Sequence, residues 1–469
     1  MHPASYLPFV EEFWERHILP ALTEYIKIPC LSVAFDPAWE SKGFLEQARQ
    51  LAVNWLKAQA EPDWRLHDLK LAGKTPLLLV EIPARGKQQT VLLYGHLDKQ
   101  PEMQGWRKGL GPWQPVIEDG KLYGRGGADD GYALFAAVAA IKALRQQGLP
   151  HARLLLLIEF SEESGSPDLP PYLETLAALI GEVDLVIALD SGTGDYERLW
   201  ATTSLRGMLN CLLTVRTLHE AVHSGIAAGL VPDSLAILRL LLDRLEDAAS
   251  GKLKLKELYA PIPAFRLEQA RATASILGNR LLEGLHPLPG LRPLSEDPLE
   301  LILNNTWRPA LCVVGQEGLP LAKEAGNVMR SFTCLKLSFR LPPTVSSQTA
   351  KQAIAAALLA DPPYGAQVQV QFEGEGDGWE APAPADWLLS ACDEASRELY
   401  GNPAAYLGLG ASIPFMAFLG KRFPSAQFLI TGVLGPNSNA HGPNEFLHLP
   451  YAKKLTACIA HVLARHAHA

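Results

Sequence analysis

Thr90-Val91-Leu92-Leu93-Tyr94-Gly95-His96-Leu97-Asp98 is a short, almost continuous apolar run that stops on a histidine and, two residues later, an aspartate. A run of this length without alternation reads as a strand covered on both faces, the pattern of a parallel sheet. Other stretches end the same way. Leu154-Leu155-Leu156-Leu157-Ile158 leads to Glu162-Glu163, and Leu185-Val186-Ile187-Ala188-Leu189 leads to Asp190. Gly124-Arg125-Gly126-Gly127 runs into Asp129-Asp130, and Asn439-Ala440-His441-Gly442 follows another apolar run near the C-terminus. Ligands of a parallel α/β sheet bind beyond the carboxyl ends of its strands. If these runs are neighbouring strands, two histidines and several carboxylates meet on one rim, which is metal-site chemistry.

The surroundings support such a sheet. Residues 77–82 form a second buried run, 132–147 are Ala- and Leu-rich and helical with Gly148 and Pro150 as a stop, and 153–160 return to strand. Strand, helix, strand at this spacing is the βαβ unit. Two amphipathic helices, 6–26 and 43–60, precede it.

The pattern changes after Arg206-Gly207. A strand over 211–217 is followed by a Leu-rich helix opened by Asp233 as N-cap and running to about 248. Strands 311–315 and 335–341, a helix over 347–359 and a strand over 367–372 that alternates Gln and Val come next. This β-α-β-β-α-β order is the ferredoxin-like arrangement. A Pro-rich excursion, 261–298, interrupts it and is expected as an extended loop with short helices covering a site or a partner. After Trp379 a helix over 386–400, a strand over 427–430 and a terminal helix from 451 return to the first domain. The expected fold class is α/β: a mostly parallel sheet flanked by helices, residues 1–205 and 379–469, with an inserted ferredoxin-like α+β domain, 206–378.

At 469 residues the chain needs more than one core, and 48% apolar with 20% charged residues supplies ample material for them. A net charge of −8 without a basic block excludes nucleic acid or an anionic membrane as partner, since either requires a cationic face. The cysteines 30, 211, 312, 334, 392 and 458 have no paired spacing, so neither a thiolate zinc site nor a disulfide framework is expected, and a reducing cytoplasm fits best. Residues 1–13 lack the features of a signal peptide, and no run reaches membrane-spanning length.

Each motif has an ordinary alternative. His96 can bind a metal while Asp98 holds its other ring nitrogen, but His-x-Asp in a loop is also a common hydrogen-bonded pair. The glycines before Asp129-Asp130 can aim a carboxylate inward from a sharp turn; a phosphate loop is the rival, against the spacing. Glu162-Glu163 ends an apolar strand, so one carboxylate can ligate while its neighbour acts as general base; a solvated acidic loop is the alternative. Asp190 could equally cap a helix. The coincidence at matching strand ends favours the metal.

In this order the motifs resemble the family of co-catalytic zinc metallopeptidases and amidohydrolases that includes carnosine dipeptidases, carboxypeptidase G, succinyl-diaminopimelate desuccinylase and aminoacylase. The resemblance rests on Gly95-His96-Leu97-Asp98, Asp119-Gly120-Lys121-Leu122-Tyr123-Gly124-Arg125-Gly126 running into Asp129-Asp130, Glu162-Glu163-Ser164-Gly165-Ser166, Ala188-Leu189-Asp190-Ser191 and Asn439-Ala440-His441-Gly442-Pro443-Asn444-Glu445. It extends through Val222-His223-Ser224-Gly225 and Ser338-Phe339-Arg340-Leu341 into the inserted domain, which the resemblance makes a lid and dimerisation domain.

The resemblance implies two zinc ions per subunit, with manganese or cobalt as substitutes. His96 and Asp190 look like ligands of one, Glu163 and His441 of the other, and Asp129 like the bridging carboxylate. Glu162 looks like the general base and Asp98 like the residue orienting His96. His223 resembles an imidazole that polarises the scissile carbonyl, often from the partner subunit of a homodimer. Arg340 resembles the arginine that holds the substrate's terminal carboxylate, with Asn327 and Ser412 as further substrate contacts. The chain departs from the dipeptidase branch at Gly131-Tyr132, where Lys-Gly is usual, at Ala221-Val222, and at Gly410-Ala411. No ligand is lost.

The expected activity is hydrolysis of dipeptides or short peptides with a free C-terminal carboxylate. An N-acyl amino acid deacylase or desuccinylase of the same family is the alternative, and a non-catalytic metal-binding homologue a remote one. Of the other histidines, 461, 466 and 468 are expected as solvated residues closing a terminal helix, and His286 carries no expected role.

Overall fold

The computed structural model describes residues 2–285 and 287–469, so His286 lies outside the described residues. Its central sheet has nine strands. Their order is Arg65–Lys70, Pro76–Ile82, Arg153–Glu159, Thr90–His96, Leu185–Ala188, Gln427–Ile430, Trp200–Leu205 and Trp379–Glu380, with Ala405–Leu409 pairing off this path onto Trp200–Leu205. The four strands from Arg153–Glu159 to Gln427–Ile430 are parallel, and antiparallel partners extend the sheet on both sides.

The continuous apolar runs are explained by the two layers they serve. Val91, Leu93, Leu154, Leu156 and Ile158 face the helices Phe44–Gln59, Tyr132–Gln146 and Leu449–His466. Their neighbours Leu92, Tyr94, Leu155 and Leu157 face Leu169–Thr175 and Pro414–Arg422. Successive side chains point to opposite faces, so a strand buried on both must be apolar at every position.

A second, wholly antiparallel sheet runs Ala310–Glu317, Phe332–Leu341, Gly207–Arg216, Gln367–Gly376. With the helices Ser234–Leu245 and Ser347–Leu359 it completes the ferredoxin-like order. Leu209, Cys211, Leu213 and Val215 are buried against those helices while alternate residues are not. Asp233 caps the first helix, its Oδ1 accepting from the Ala236 amide at 2.9 Å.

Two chain crossings join the sheets side by side. Leu205 pairs with Trp379 just before Gly207 pairs with Leu341, and Met208 pairs with Gly376. A side chain on Gly207 would meet the Gly376 carbonyl and the Gly378 amide at 2.9 Å, so this crossing admits only glycine.

The excursion is more ordered than its composition implies. Ala264–Leu277 is a 14-residue helix packed on strand Ala405–Leu409, where Thr273 Oγ1 donates to the Tyr406 carbonyl at 2.8 Å. Its Arg266 guanidinium reaches Glu380 and the Ala381 carbonyl. The segment therefore leans on the central sheet although it is inserted between two elements of the other.

The terminal histidines overturn their expected solvation. His461 and His466 are fully buried, with Nε2 atoms 3.0 Å from Glu394 and 2.6 Å from Asp184. The helix Leu449–His466 is enclosed on nearly all sides, so its last turn has no solvated face to offer. Among the described residues no helix is long and apolar enough to cross a membrane.

Candidate metal centre

His96 is the last residue of its strand and pairs directly with Glu159, the last of the next. Asp190 lies two residues beyond Leu185–Ala188. Asp129 and Asp130 come from the tight turn Gly127–Gly131, and the peptide bond between them is cis. Gly95 lets this turn cross the strand: a side chain there would meet Asp130 Oδ2 at 2.9 Å and Ala133 Cβ at 2.7 Å. Glu162 and Glu163 occupy the turn Glu162–Ser164.

These elements bring the expected residues into two groups that share one carboxylate. His96, Asp129 and Asp190 offer ligand atoms within 4.8 Å of one another, as do Asp129, Glu163 and His441. His96 Nε2 stands 3.4 Å from Asp129 Oδ1 and 3.7 Å from Asp190 Oδ2. His441 Nε2 stands 2.9 Å from the other Asp129 oxygen and 3.3 Å from Glu163 Oε2. Glu162 belongs to neither group, and its Oε2 is 3.9 Å from His96 Nε2.

Asp98 fixes the His96 imidazole and the acidic turn. Its carboxylate lies 3.4 Å from His96 Nδ1, and its two oxygens accept the backbone amides of Glu162 and Glu163 at 3.1 and 3.0 Å. One buried aspartate thus aims the imidazole and the acidic turn together.

Burial disfavours the charged form of most carboxylates on this rim. Burial pushes the Glu162 carboxyl well above its usual range, with the Asp190 charge adding to it. Burial likewise raises Asp190 to about 7 and lifts Asp130 and Glu163. Burial would also raise Asp129, but the hydrogen bond from His441 and the charge of the nearby His96 imidazole outweigh it and hold this carboxyl below its usual value. Burial would lower His441, yet its hydrogen bonds to Asp129 and Glu163 win and raise it to about 11. Without another cation the imidazoles must carry the compensating charge. His96 Nε2 is nevertheless buried without a hydrogen-bond partner, facing three carboxylates. An orphaned imidazole nitrogen among ionisable carboxylates, with a second histidine on the shared aspartate, fits a pair of divalent cations.

Sequence reasoning missed three supports. Arg125 and Glu445 form a buried ion pair; Glu445 Oε1 also accepts the Gly126 amide at 2.8 Å, and Arg125 donates to the Gly442 carbonyl at 2.9 Å. The strands Val116–Glu118 and Lys121–Tyr123 form a hairpin on which Phe446–His448 pairs. Its tip, Asp119-Gly120, has positive φ at both residues, and Asp-Gly between short apolar runs is the signal that could have found it. Beneath the acidic turn, Glu159 accepts hydroxyls from Tyr94 at 2.6 Å, Ser166 at 2.8 Å and Ser161 at 3.1 Å.

The expected substrate residues fall into two separate places. Arg340 Nη1 donates to Ser412 Oγ at 3.1 Å, joining the second sheet to the first. His223 and Asn327 lie together elsewhere: the Ser224 amide donates to the Asn327 carbonyl at 2.9 Å, and Val222–His223 pairs with Val328–Met329. His223 is exposed, as are Ile226, Leu230 and Val328 around it.

Comparison with known proteins agrees with this picture. The model of peptidase family M20/M25/M40 matches residues 92–465. The cysteinylglycine-S-conjugate dipeptidase of Corynebacterium striatum is 27% identical over 368 residues, covering 77% of each chain. The Cys-Gly metallodipeptidase DUG1 of Saccharomyces cerevisiae is 26% identical over 450 residues, covering 91% of this chain and 90% of that protein. The solved structure of the yeast dipeptidase Dug1p superposes with a TM-score of 0.79 at 21% identity, covering 100% of this chain and 99% of that one.

Proposed function

The chain belongs to peptidase family M20/M25/M40, whose members are metal-dependent hydrolases, and on that premise we propose that it cleaves dipeptides or short peptides bearing a free C-terminal carboxylate. It is a metallopeptidase of the dipeptidase type. The observation that carries the finer reading is the sharing of Asp129 between two donor groups, one of which contains a buried imidazole nitrogen with no other partner.

His96, Asp190 and Asp129 would hold one divalent cation, and Glu163, His441 and Asp129 the other; zinc suits this imidazole and carboxylate set. When bound, the pair supplies Lewis acidity toward the scissile carbonyl and lowers the pKa of a water. Glu162 is the general base. It lies beside the donors without belonging to either group, and its burial favours a carboxyl that accepts a proton from the attacking water and returns it to the leaving amine. Arg340, steadied by Ser412, grips the terminal carboxylate, which restricts the substrate to short peptides.

Residues 1–205 and 379–469 form the catalytic domain in this reading, and 206–378 a lid through which two copies pair. His223, amid exposed apolar residues, would then complete the site of the second copy, with Asn327 beside it.

The test is metal analysis followed by turnover of a dipeptide panel. The wild type is expected to hold two ions per chain, to lose activity with chelator and to regain it with zinc. Glu162→Gln is expected to keep both ions and lose about 10²–10⁴-fold in kcat. Near-normal turnover in that variant would remove Glu162 as base, and full activity after metal removal would sink the mechanism. Including N-acyl amino acids in the panel separates a deacylase.

A further inference from the structure

A cavity of about 670 Å³ lies between the excursion and strand Ala405–Leu409, walled by Leu281, Leu282, Leu285, Leu291 and Leu294, with Arg206 also in its lining. Leu285, Leu291 and Leu294 are 72%, 70% and 70% exposed, an apolar wall left facing water. Arg206 is the opposite case. It is only 7% exposed, and among the described residues no carboxylate lies within ion-pair distance of it. Its Nε donates to the Gly410 carbonyl at 3.1 Å and its Nη1 to the Asn304 carbonyl at 3.3 Å, so neutral acceptors are all that hold it. Burial and the nearby Arg340 charge lower it to about 10.

Ser412 links Arg206 to Arg340, the proposed carboxylate grip. Ser412 Oγ donates to the Arg206 carbonyl at 2.5 Å and accepts from Arg340 at 3.1 Å. Strand residues Leu407, Gly408 and Leu409, which floor the cavity, lead through Gly410 directly to Ser412. An apolar hollow lined by an uncompensated guanidinium that Ser412 links to a second one is complementary to an apolar group attached to a carboxylate.

Resting on the dipeptidase reading above, we infer that this cavity receives the side chain of the substrate's C-terminal residue, so that dipeptides ending in a large apolar residue are preferred. Arg206 adds a second positive charge beside the carboxylate that Arg340 holds. A single methylene in an apolar pocket discriminates by about 10–200-fold.

The metal-loaded protein should therefore cleave Ala-Phe and Ala-Leu with kcat/KM at least about 10-fold above Ala-Gly. The double variant Leu291→Asp/Leu294→Asp, altered only at exposed positions, should lower that ratio at least about fivefold, from about 10-fold to about twofold. Equal kcat/KM across the series, or an unchanged ratio in the variant, overturns the pocket and leaves the dipeptidase reading intact. Failure to cleave any dipeptide overturns that reading instead, and the pocket is then decided by calorimetric titration. 3-Phenylpropionate should bind the wild type at least about 10-fold more tightly than acetate and lose this advantage in the double variant. No difference between the two acids overturns the inference.

Discussion

Arg125 and Glu445 meet in a buried ion pair that ties the turn of Asp129 to the loop of His441, two segments more than 300 positions apart in the chain. Because Glu445 also accepts the Gly126 amide and Arg125 donates to the Gly442 carbonyl, neither loop can shift without unpairing a buried charge. His441 is itself half exposed, so this clamp is what holds its loop against the shared aspartate.

Glu445→Ala is therefore expected to lose one bound ion while retaining the other. Removing such a support costs about 10–100-fold in metal affinity, and leaving the buried Arg125 without its carboxylate costs about 3–5 kcal/mol of stability. Metal stoichiometry against free zinc concentration, with a denaturation midpoint, checks both. Two ions retained at wild-type affinity would show that the His441 loop needs no clamp.

Asp98→Asn should act on both groups. An amide offers one acceptor oxygen where the carboxylate offers two, so either the Glu162 or the Glu163 amide loses its partner and the hold on His96 Nδ1 weakens. Zinc affinity is expected to fall about 10–100-fold with kcat reduced even at saturating metal. Full kcat at saturation would mean that the acidic turn holds its shape unaided.

Much of this centre is legible in the chain, and what is not has a common cause. The apolar runs announce their strands because both faces are buried, and an acid or histidine following such a run is conspicuous. Partners distant in sequence leave no local trace. His466 looked solvated because its companion Asp184 lies 282 positions away, and Arg206 looked like a mere boundary because its surroundings come from the excursion and strand Ala405–Leu409. The hairpin tip Asp119-Gly120 is different: its signal was present, but the flanking strands are only three residues each.

Arg340→Lys should raise KM for dipeptides with little change in kcat, since a lysine cannot make the planar two-pronged contact. The discriminating readout is a peptide amide, which lacks the carboxylate. Wild type and variant should cleave it equally poorly. A variant that lost activity equally on both substrates would assign Arg340 a structural role.

His461 and His466 predict a pH dependence of stability. Burial lowers both below the ordinary histidine value of 6.5, only partly offset by Glu394 and Asp184. The folded chain then binds fewer protons than the unfolded one just below pH 6.5, so stability rises with pH through that window and levels off above it. Their share is read as a difference: the urea midpoint of the wild type relative to that of His466→Asn should fall between pH 7.5 and 5.5. An identical slope in the variant would remove His466 from the account.

The paired crossing at Leu205–Trp379 and Gly207–Leu341 makes a fulcrum of the join between the sheets. Arg340 sits one residue from it, while His223 lies past the far end of the ten-residue strand Gly207–Arg216, a lever arm of about 30 Å. A rotation at this join would leave Arg340 almost stationary and swing His223 through a wide arc, so under the proposed roles one copy can anchor a substrate before the imidazole of its partner reaches it.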